Sequence, residues 1–557
     1  MNTEDLLEKG YFTEELPPPF DTGELARHQA VLQAHFDALS KTEKEKIYET
    51  LPVLFSTPKM GIYRRMTALP NPLHQIGLSG IIASQWDEIK KHYKKSTLSA
   101  SIPVVRKGEK RAVAQISKYQ AFKEKCIMAS FDRLYELKAD VSKYFPSIYT
   151  HSIPWALHGK KIAKSKSGRK DKTLLGNRLD EAVRWGQSGQ TKGIPTGTDT
   201  SRIIAEIIGV ALDVELVEEL KRENIDFVGY RFIDDYQLYF RSGSDAERAL
   251  KSLQKLLNAY SLDLNDEKTM INSAPYKIDN DWSHLLNSCP LRDAEQRIQA
   301  HDLITYVNLL IDTAIKYPAD YVIKYGIKRL LKFKIHEDNW SLLEALVLKL
   351  GSYEPSVLPT VYLFLEQNRA HLSVKRLTDF IATMLQQCIS RGHNFEVSWS
   401  LWIAKQFAIK IRVEDAQEII DSRDVISMLI LLDMREEWLI LSDEKLDLTE
   451  LVLDFTEDNL TTELWLLIYE TNRKKWIKSR AVSSSAYFSK LEELKISFYD
   501  SDVTIVHGDS NVISDEELSD DKAESLAAFL ALIDDDDNAK GITGRKKKRK
   551  VKIEASY

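Results

Sequence analysis

The stretch FVGYRFIDDYQLYF, residues 227–240, decides the fold of this chain more than any other segment. Two runs rich in aromatic and β-branched residues meet at Asp234 and Asp235, and this pattern predicts a β-hairpin with two carboxylates at its tip. Adjacent acidic groups between bulky apolar residues repel each other, and partial burial raises the cost of charging them unless a cation lies between them. The hairpin therefore predicts a site for a divalent metal ion.

Another candidate metal ligand lies upstream, in LYELKADVSKYFPSI at residues 134–148. An apolar-flanked segment typical of a core strand ends at Asp140 and then turns into YFPSI. A carboxylate at the end of a core strand, beside a hairpin that carries two more, can bind a pair of Mg²⁺ (or Mn²⁺) ions through oxygen ligands. Taken singly, each acidic cluster has a simpler interpretation, because paired Asp residues are common in turns and an Asp after a strand is often a helix cap.

A third segment bears on this choice: KGIPTGTDTSRIIAEIIGVALDVEL, residues 192–216, places a loop rich in Gly, Pro and Thr before a long apolar helix. Its glycines allow close approach of the backbone to a nucleotide or template, and its Thr and Ser hydroxyls can cap the helix. In isolation the segment is typical of an ordinary capped helix. Along the chain, however, Asp140 is followed by GIPTG with its helix, by the IDD hairpin and by LDLNDEKT.

In this order the segments resemble the palm of reverse transcriptases, over roughly residues 60–280. Asp140 falls on the first metal-binding aspartate of that family, and FIDD at 232–235 falls on its YxDD box. GIPTG at 193–197 falls on the box usually written with a Pro-Gln-Gly core, and LNDEKT at 264–269 resembles the following lysine motif. The resemblance implies an α+β fingers-palm core that acts as an RNA-directed DNA polymerase-like nucleotidyltransferase on dNTPs, with DNA as product and RNA as a possible template.

The resemblance also implies roles for individual residues. Asp140 and Asp234 would be the main ligands of two metal ions, with Asp235 supporting them, and the ions would activate a primer hydroxyl and stabilise the leaving pyrophosphate. Phe145 matches the bulky residue that blocks a ribose 2′-hydroxyl, which favours deoxynucleotides. Lys268 matches the candidate acid that protonates the leaving pyrophosphate.

Upstream, RRMTALPNPLHQIGL at 64–78 and SIPVVRKGEKRAV at 101–113 resemble the finger segments of the family. Basic residues there would contact the triphosphate or the template backbone, where cations supply most sequence-independent affinity. The predicted nucleotide and nucleic-acid binding set is therefore Phe145, Arg106, Lys107, Lys110, Arg111, Gly193, Pro195, Thr196 and Gly197. Phe232 and Thr196 depart from the family's usual tyrosine and glutamine, so we expect altered contacts to the primer terminus and incoming sugar.

The length of 557 residues, with 43% apolar and 29% charged residues, indicates two or three domains. We expect an N-terminal helical extension at 1–60 and reverse-transcriptase-like fingers and palm at 61–290. An all-α domain at 291–495, whose helix pairs suggest HEAT-like repeats, and an acidic then basic tail at 496–557 complete the prediction. The helical half shows no paired acidic motif that would indicate an RNase H domain.

Composition excludes several other classes. No run of 18 or more apolar residues occurs, and the N-terminus is acidic, so we expect no membrane span and a cytoplasmic (bacterial) location. Three widely spaced cysteines form neither a zinc site nor a disulfide framework. A net charge of −6 leaves nucleic-acid binding open, because binding needs only a local cationic channel. The basic run at 545–550 is interpreted either as an accidental match to a nuclear import signal or as a phosphate-binding arm.

GIPTGTDTSRIIAEIIG, with a helical C-terminal domain in place of RNase H, resembles the abortive-infection (AbiK-like) branch of bacterial reverse transcriptases. Members of that branch act in phage defence, can extend DNA without a template from a protein hydroxyl, and form oligomers. The resemblance implies antiphage defence, a homo-oligomer and a priming tyrosine here. Tyr11 and Tyr557 are candidates, because terminal segments can reach an active site.

Other interpretations stay open at this point. A conventional reverse transcriptase would copy an RNA template, including a dedicated noncoding RNA. An RNA-dependent RNA polymerase shares the palm chemistry, but it must admit the 2′-hydroxyl that Phe145 should exclude. A non-catalytic scaffold would carry a relic palm, although the joint presence of Asp140, Asp234, Asp235 and Lys268 argues against decay. A DNA-binding regulator lacks support, since no helix-turn-helix or zinc module is visible.

Overall fold

The computed structural model describes residues 1–503, apart from residues 60, 61, 107, 278–281, 294 and 319. Three sequence predictions fall outside the described residues: the role of Lys107, the role of Tyr557 and the part of the acidic then basic tail that follows residue 503.

The N-terminal region begins with helices and ends in a hairpin: α1 (Thr3–Glu8), α2 (Gly23–Ala38), α3 (Lys41–Lys46), β1 (Val53–Pro58) and β2 (Arg64–Leu69). Polar caps start the short helices, because Asn2 accepts a hydrogen bond from the Asp5 amide and Ser40 forms a capping box with Glu43. The segment predicted as a helical extension therefore ends in a strand, and β1 pairs antiparallel with β2. Within β1, Leu54 is exposed between the buried residues Val53 and Phe55, and the residues from Phe55 to Thr57 are all buried.

A mixed region follows, and its elements are α4 (Pro72–Ser84), α5 (Trp86–Tyr93), β3 (Pro103–Val104), β4 (Ala114–Gln115), α6 (Tyr119–Ala129), β5 (Tyr135–Asp140), α7 (Tyr144–Ser147), α8 (Ser152–His158), α9 (Lys160–Ala163), α10 (Leu175–Trp185), α11 (Asp199–Arg222), β6 (Phe227–Phe232), β7 (Asp235–Phe240), α12 (Gly243–Ala259) and β8 (Met270–Ser273). Its central feature is a four-stranded antiparallel sheet in the order β6-β7-β5-β8. The predicted β-hairpin is confirmed, because Phe232 pairs with Asp235 and leaves Ile233 and Asp234 as a two-residue turn.

Helix α11 packs against the sheet and organises its core. Residues 203–213 of this helix are all buried, which is typical of a helix enclosed within a domain. The predicted hydroxyl cap is present, since the side chain of Thr198 accepts a hydrogen bond from the Ser201 amide at 3.2 Å. Glu206 and Asp213 are buried in the middle of this helix, where an unpaired carboxylate would be costly.

The C-terminal region is predominantly helical, with α13 (Trp282–Ser288), α14 (Gln296–Lys316), α15 (Val322–Leu330), α16 (Trp340–Tyr353), α17 (Leu358–Gln367), α18 (Val374–Cys388), α19 (Asn394–Gln406), α20 (Val413–Ser422), α21 (Val425–Glu436), α22 (Thr449–Leu453), α23 (Trp465–Lys474), α24 (Ala481–Ser484) and α25 (Phe488–Glu493). Two strands of two residues each, β9 (Ile411–Arg412) and β10 (Ile440–Leu441), form a small parallel pair within it. The helical prediction is confirmed, apart from this pair.

Two large hydrophobic cores result. One surrounds the sheet and α11, and the other joins the C-terminal helices to N-terminal residues such as Leu7, Tyr11 and Phe55. The N-terminal segment is therefore part of the folded body. The three cysteines are buried and unpaired. Across the described ranges, no helix is both long and apolar enough to cross a membrane.

Candidate active site

Three carboxylates meet at the end of the central sheet. Asp140 is the last residue of β5 and Asp235 the first residue of β7, and the two are direct partners in the antiparallel register. Asp234 precedes Asp235 in the hairpin turn. One carboxylate oxygen from each of the three residues lies within 4.8 Å of the others. Asp140 is buried, whereas Asp234 and Asp235 are partly exposed.

The turn that presents Asp234 contains a strained residue. Ile233 has φ of +59°, a value that is rare for a β-branched side chain. Both backbone polar groups of Ile233 are held: its amide donates to Ser101 Oγ at 2.8 Å, and its carbonyl accepts from Arg231 Nη1 at 2.6 Å. Such conformations persist only where the surroundings determine them, so the turn is held from two sides.

Arg231 lies in a buried carboxylate socket on α11. Its Nε and Nη2 atoms donate to the two Asp213 oxygens, both at 2.8 Å, and it also donates to both oxygens of Glu206, at 2.9 and 3.2 Å. Gly209 makes room for the guanidinium, because a Cβ there would lie 2.7 Å from Arg231 Cζ. Positions 206, 209 and 213 share one face of the helix. Arg231 thus links the strained turn to α11, the longest helix of the mixed region.

Burial and mutual repulsion raise the pKa values of Asp234 and Asp235. Burial, followed by the charge of Asp140, raises the pKa of Asp234 to about 6. Burial and the neighbouring Asp234 also raise the pKa of Asp235 above its ordinary value. A divalent cation would relieve this repulsion, and a ligand set made only of carboxylate oxygens suits Mg²⁺ or Mn²⁺. These residues fit the metal site that the sequence predicts.

Asp140 is oriented by the segment that follows α12. Lys268 Nζ lies 3.2 Å from Asp140 Oδ1, and Asn265 Nδ2 donates to Oδ2 at 2.9 Å. The Asn265 amide also donates to the Asp140 carbonyl at 2.8 Å. Burial alone would lower the pKa of Lys268, but Asp140 and its neighbouring carboxylates raise it on balance. Lys268 therefore lies beside the carboxylates, at the place the resemblance implies.

Phe145 and the GIPTG loop lie together next to the turn. The Ile194 amide donates to the Phe145 carbonyl at 3.1 Å, and the Gly193 amide donates to the Ile148 carbonyl at 2.8 Å. Phe145 lines a small cavity with Gln115, Arg202, Ala205 and Ile233, among others. The aromatic ring is thus placed close to the residue that precedes the metal-binding pair.

The remaining GIPTG residues contact the N-terminal region. Gly197 has φ of +109°, and a Cβ there would lie 3.0 Å from Thr13 Cβ. The Thr196 carbonyl accepts from the Ala68 amide at 2.9 Å, which joins the loop to β2. Pro195 is partly exposed. The sequence predicted that the backbone of this loop approaches a nucleotide or template closely. At Gly197 the backbone instead approaches Thr13 of the same chain.

The basic finger residues divide into two groups. Arg111 directs its donors to Asp199, to the Gly197 carbonyl and to the Phe12 carbonyl, so it differs from the phosphate contact that the sequence suggested. The reason is that Asp199 is fully buried and requires a cation. Arg106 donates to the Ile116 carbonyl at 3.0 Å. Lys110 is exposed, and its charge acts on Lys328 of α15, whose pKa is lowered by burial first and then by neighbouring lysines.

Tyr11 lies in the core that contains the C-terminal helices, and it is not exposed beside the three carboxylates. Its ring is fully buried and its hydroxyl donates to the Pro70 carbonyl, and burial raises its pKa well above the ordinary value. The N-terminal segment around Tyr11 is not free to reach the site, because Leu7, Tyr11, Phe12 and Leu16 pack into the core that contains the C-terminal helices.

Sequence reasoning missed Arg231, Glu206, Asp213 and Asn265. A signal for the first three was present: Arg231 interrupts an aromatic strand, and two carboxylates interrupt an otherwise apolar helix stretch. Charged residues in such positions are expected to pair with one another. Asn265 lies within LNDEKT, three residues before Lys268.

Comparison with known proteins found a family model that matches the region around these carboxylates. The profile of the family described as "Reverse transcriptase (RNA-dependent DNA polymerase)" matches residues 86–293, which include all three carboxylates and Lys268. Residues 86–293 are therefore similar to reverse-transcriptase domains, a family described as RNA-dependent DNA polymerases. No curated protein gave a significant match.

Similar solved structures include telomerases. Apo telomerase from Candida tropicalis truncated from its C-terminal domain is 15% identical, with 42% of this chain and 52% of that chain covered and a TM-score of 0.30. Telomerase from Candida albicans in complex with a TWJ fragment of telomeric RNA is 13% identical, with coverages of 75% and 68% and a TM-score of 0.29. Apo telomerase from Candida tropicalis is 12% identical, with coverages of 76% and 77% and a TM-score of 0.31. The chain spans about half the length of the first of these, and TM-scores this low support no further conclusion.

Proposed function

We propose that this chain is a DNA polymerase of the reverse-transcriptase type, which transfers nucleotides from dNTPs at Asp140, Asp234 and Asp235. The observation that carries this proposal is the approach of the three carboxylates to within 4.8 Å inside a reverse-transcriptase domain. Two bound Mg²⁺ or Mn²⁺ ions would activate the attacking hydroxyl and neutralise charge on the phosphates.

The chain's own residues then have separate tasks. Asn265 and Lys268 orient the Asp140 carboxylate through hydrogen bonds to its two oxygens. The half-exposed ammonium of Lys268 is placed to give a proton to the leaving pyrophosphate. Phe145 would exclude the ribose 2′-hydroxyl from the space beside Ile233. Arg231 keeps the turn of Asp234 in position.

We further propose that the enzyme acts in antiphage defence in the bacterial cytoplasm, with untemplated, protein-primed synthesis, in the manner of AbiK-like reverse transcriptases. GIPTGTDTSRIIAEIIG and the helical C-terminal region support this assignment. In this proposal the C-terminal helices act as HEAT-like repeats and the protein forms a homo-oligomer. The priming residue would be an exposed tyrosine or Tyr557.

The test uses purified full-length protein, Mg²⁺ and each labelled dNTP, without added nucleic acid. The double variant Asp234→Ala/Asp235→Ala is the control. Label that accumulates on the wild-type band of a denaturing gel and is absent from the variant would support protein-primed synthesis. Absence of label in both, under all four dNTPs and with Mn²⁺, would reject it.

Conventional reverse transcription is the second candidate, because the matched family is described as an RNA-dependent DNA polymerase. It predicts no label on the protein and extension of a DNA primer on an added RNA template. A catalytically inactive scaffold would give neither product. The same preparation and the same variant therefore separate the three possibilities.

A further inference from the structure

The connection between α8 and α10 is a strongly basic exposed segment. Residues 160–172, KKIAKSKSGRKDK, contain six lysines, one arginine and one aspartate, in a chain whose net charge is −6. Lys161, Lys166, Arg169 and Lys170 are exposed and have no ion-pair partner in the described part of the chain. Such clustering produces a local positive field that the overall charge conceals.

Internal hydrogen bonds define the path of this segment. Gly168 turns so closely that a Cβ there would lie 2.1 Å from the Ile162 carbonyl oxygen. Ser165 Oγ accepts from the Gly168 amide at 2.9 Å, and Asn177 Nδ2 donates to the carbonyls of Gly168 and Asp171 at 2.7 and 2.8 Å. Because the backbone is already ordered, binding an anion here costs less conformational entropy than binding to a mobile loop.

Aromatic rings and a neighbouring helix extend the surface. Lys160 Nζ lies 4.0 Å from the ring centroid of Tyr260, and Lys164 Nζ lies 4.1 Å from that of Trp155. The last turn of α5 and the residues after it add three exposed lysines: Lys91, Lys94 and Lys95. The pKa of His158 is lowered by burial first and also by Lys95, in keeping with the proximity of the two segments.

The surface lies away from the catalytic carboxylates. Lys160 Nζ is 3.9 Å from Glu215 of α11, whereas Glu206 of the same helix lies beside the strained turn. Glu215 lies nine positions after Glu206, which corresponds to about 14 Å along the helix axis. At about 3.4 Å per nucleotide, this is roughly four nucleotides of a strand.

We propose that residues 160–172, together with Lys91, Lys94 and Lys95, bind the phosphodiester backbone of a polynucleotide several nucleotides from the catalytic centre. A row of cations spread over two segments matches a linear polyanion, and the half-buried Trp155 can add stacking. The choice of partner rests on the proposed polymerase function, but the binding itself requires neither metal nor turnover. It gives the enzyme a hold on a strand that does not depend on base sequence.

The experiment measures binding of full-length protein to a labelled single strand of roughly 24 nucleotides, long enough for a site of the usual size, in EDTA and across a salt series. The test variant is Lys161→Glu/Lys166→Glu/Lys170→Glu. The matched control, Lys41→Glu/Lys445→Glu/Lys478→Glu, makes the same charge change at exposed lysines elsewhere. A third variant, Lys161→Arg/Lys166→Arg/Lys170→Arg, keeps the charge, and Asp234→Ala/Asp235→Ala removes two of the proposed metal ligands.

We expect the test variant to bind roughly tenfold or more weakly and to lower the slope of log affinity against log salt by about 2, since each lost phosphate contact removes about 0.7. The matched control, the arginine variant and the double alanine variant should bind as the wild type does. Equal affinity of the test variant and the matched control for the strand would overturn the proposal. A test variant that loses binding to anionic vesicles but keeps its affinity for the strand would overturn it too. If the wild type binds the strand but transfers no nucleotide, the proposed role of this surface stands and the polymerase proposal is rejected.

Discussion

At the hairpin turn, Asp234 and Asp235 are held close to Asp140, and their charges destabilise the metal-free fold. Because burial and mutual repulsion raise both pKa values in the folded state, the penalty grows as pH rises from their ordinary value of 3.8 and is complete above about 7, the pKa of Asp235. We expect Asp235→Asn to stabilise the metal-free protein by about 1 kcal/mol above about pH 7 and by less as the pH falls below that value. Mg²⁺ should raise the melting temperature of the wild type more than that of the variant. Asp312→Asn, an exposed carboxylate of α14, is the control, and an equal response of the two variants would contradict the metal assignment.

Phe145 controls sugar selection if the polymerase proposal is correct. Its ring lines the cavity next to Ile233, and truncation would open room for a 2′-hydroxyl. We expect Phe145→Ala to reduce the preference for dNTPs over rNTPs roughly tenfold or more, since exclusion by size is worth about 1–3 kcal/mol. Ratios of kcat/KM for matched nucleotides provide the measurement. Phe145→Tyr retains the bulk and should retain the preference, and an alanine variant that gains no ribonucleotide use would argue for a different gate.

Among the structural elements, α11 holds the hairpin that carries Asp234 and Asp235 in place through Arg231. Removing the guanidinium in Arg231→Met would leave Glu206 and Asp213 buried without a cation, at a cost of about 3–5 kcal/mol in unfolding free energy. It would also release the Ile233 carbonyl and reduce nucleotide transfer. Urea unfolding of the variant measures the first effect. Arg222→Met, which removes an exposed arginine paired with Glu219, should change stability by less than about 1 kcal/mol.

The β1–β2 hairpin is attached to the C-terminal helices by a buried ion pair. Arg64 donates through Nη1 and Nη2 to the two oxygens of Glu396, which is almost fully buried, and Asn394 Oδ1 accepts from the Ser56 amide. We expect Arg64→Met to increase amide exchange in both strands, because Glu396 loses its partner. The double variant Arg64→Met/Glu396→Leu should restore part of the protection. Arg65→Met, at the neighbouring exposed position, should leave exchange in β1 unchanged.

On the scale of the whole molecule, the first twenty residues connect regions that are distant in sequence. Trp399 Nε1 donates to the Glu15 carbonyl at 2.9 Å, and the Asp199 amide at the start of α11 donates to the Gly10 carbonyl at 2.8 Å. Asp500 returns to the same segment through its amide, which donates to the Pro19 carbonyl at 2.8 Å. The N-terminal segment therefore stabilises the contact between the palm and the helical region.

Tyr11 offers a test of this role against priming. Tyr11→Phe would leave the Pro70 carbonyl without its donor, which should lower the unfolding free energy by about 1–3 kcal/mol. A fully buried hydroxyl is closed to nucleotide transfer, so we expect the variant to become labelled with dNTP as the wild type does. Loss of label in a variant that remains folded would show that Tyr11 is released from the core and used as a primer.

Local patterns in the sequence predicted the β6–β7 hairpin and the capped start of α11, because neighbouring residues determine both. Alternating bulky residues around Asp234 and Asp235 specify a hairpin, and a hydroxyl before an apolar helix specifies its cap. A pattern of the same kind placed Asp140 at the end of a strand. The choice of Lys268 came from the resemblance to reverse transcriptases and not from a local pattern. The strand at 53–58 was missed because its formation depends on contacts outside the segment: it pairs with 64–69, and Phe55 packs into the core that contains the C-terminal helices.

Only the tertiary structure determined which charged side chains are exposed and which are held in ion pairs. Arg111 turned inward because Asp199 is buried at the start of α11, and Tyr11 became a core residue because the C-terminal helices close over it. The socket of Arg231 likewise joins residues that are far apart in the chain. Exposure and ion pairing depend on contacts between distant segments, whereas strand and helix formation depend on neighbours. For that reason the sequence determined the β6–β7 hairpin and its two carboxylates, and the tertiary structure determined what holds them in place.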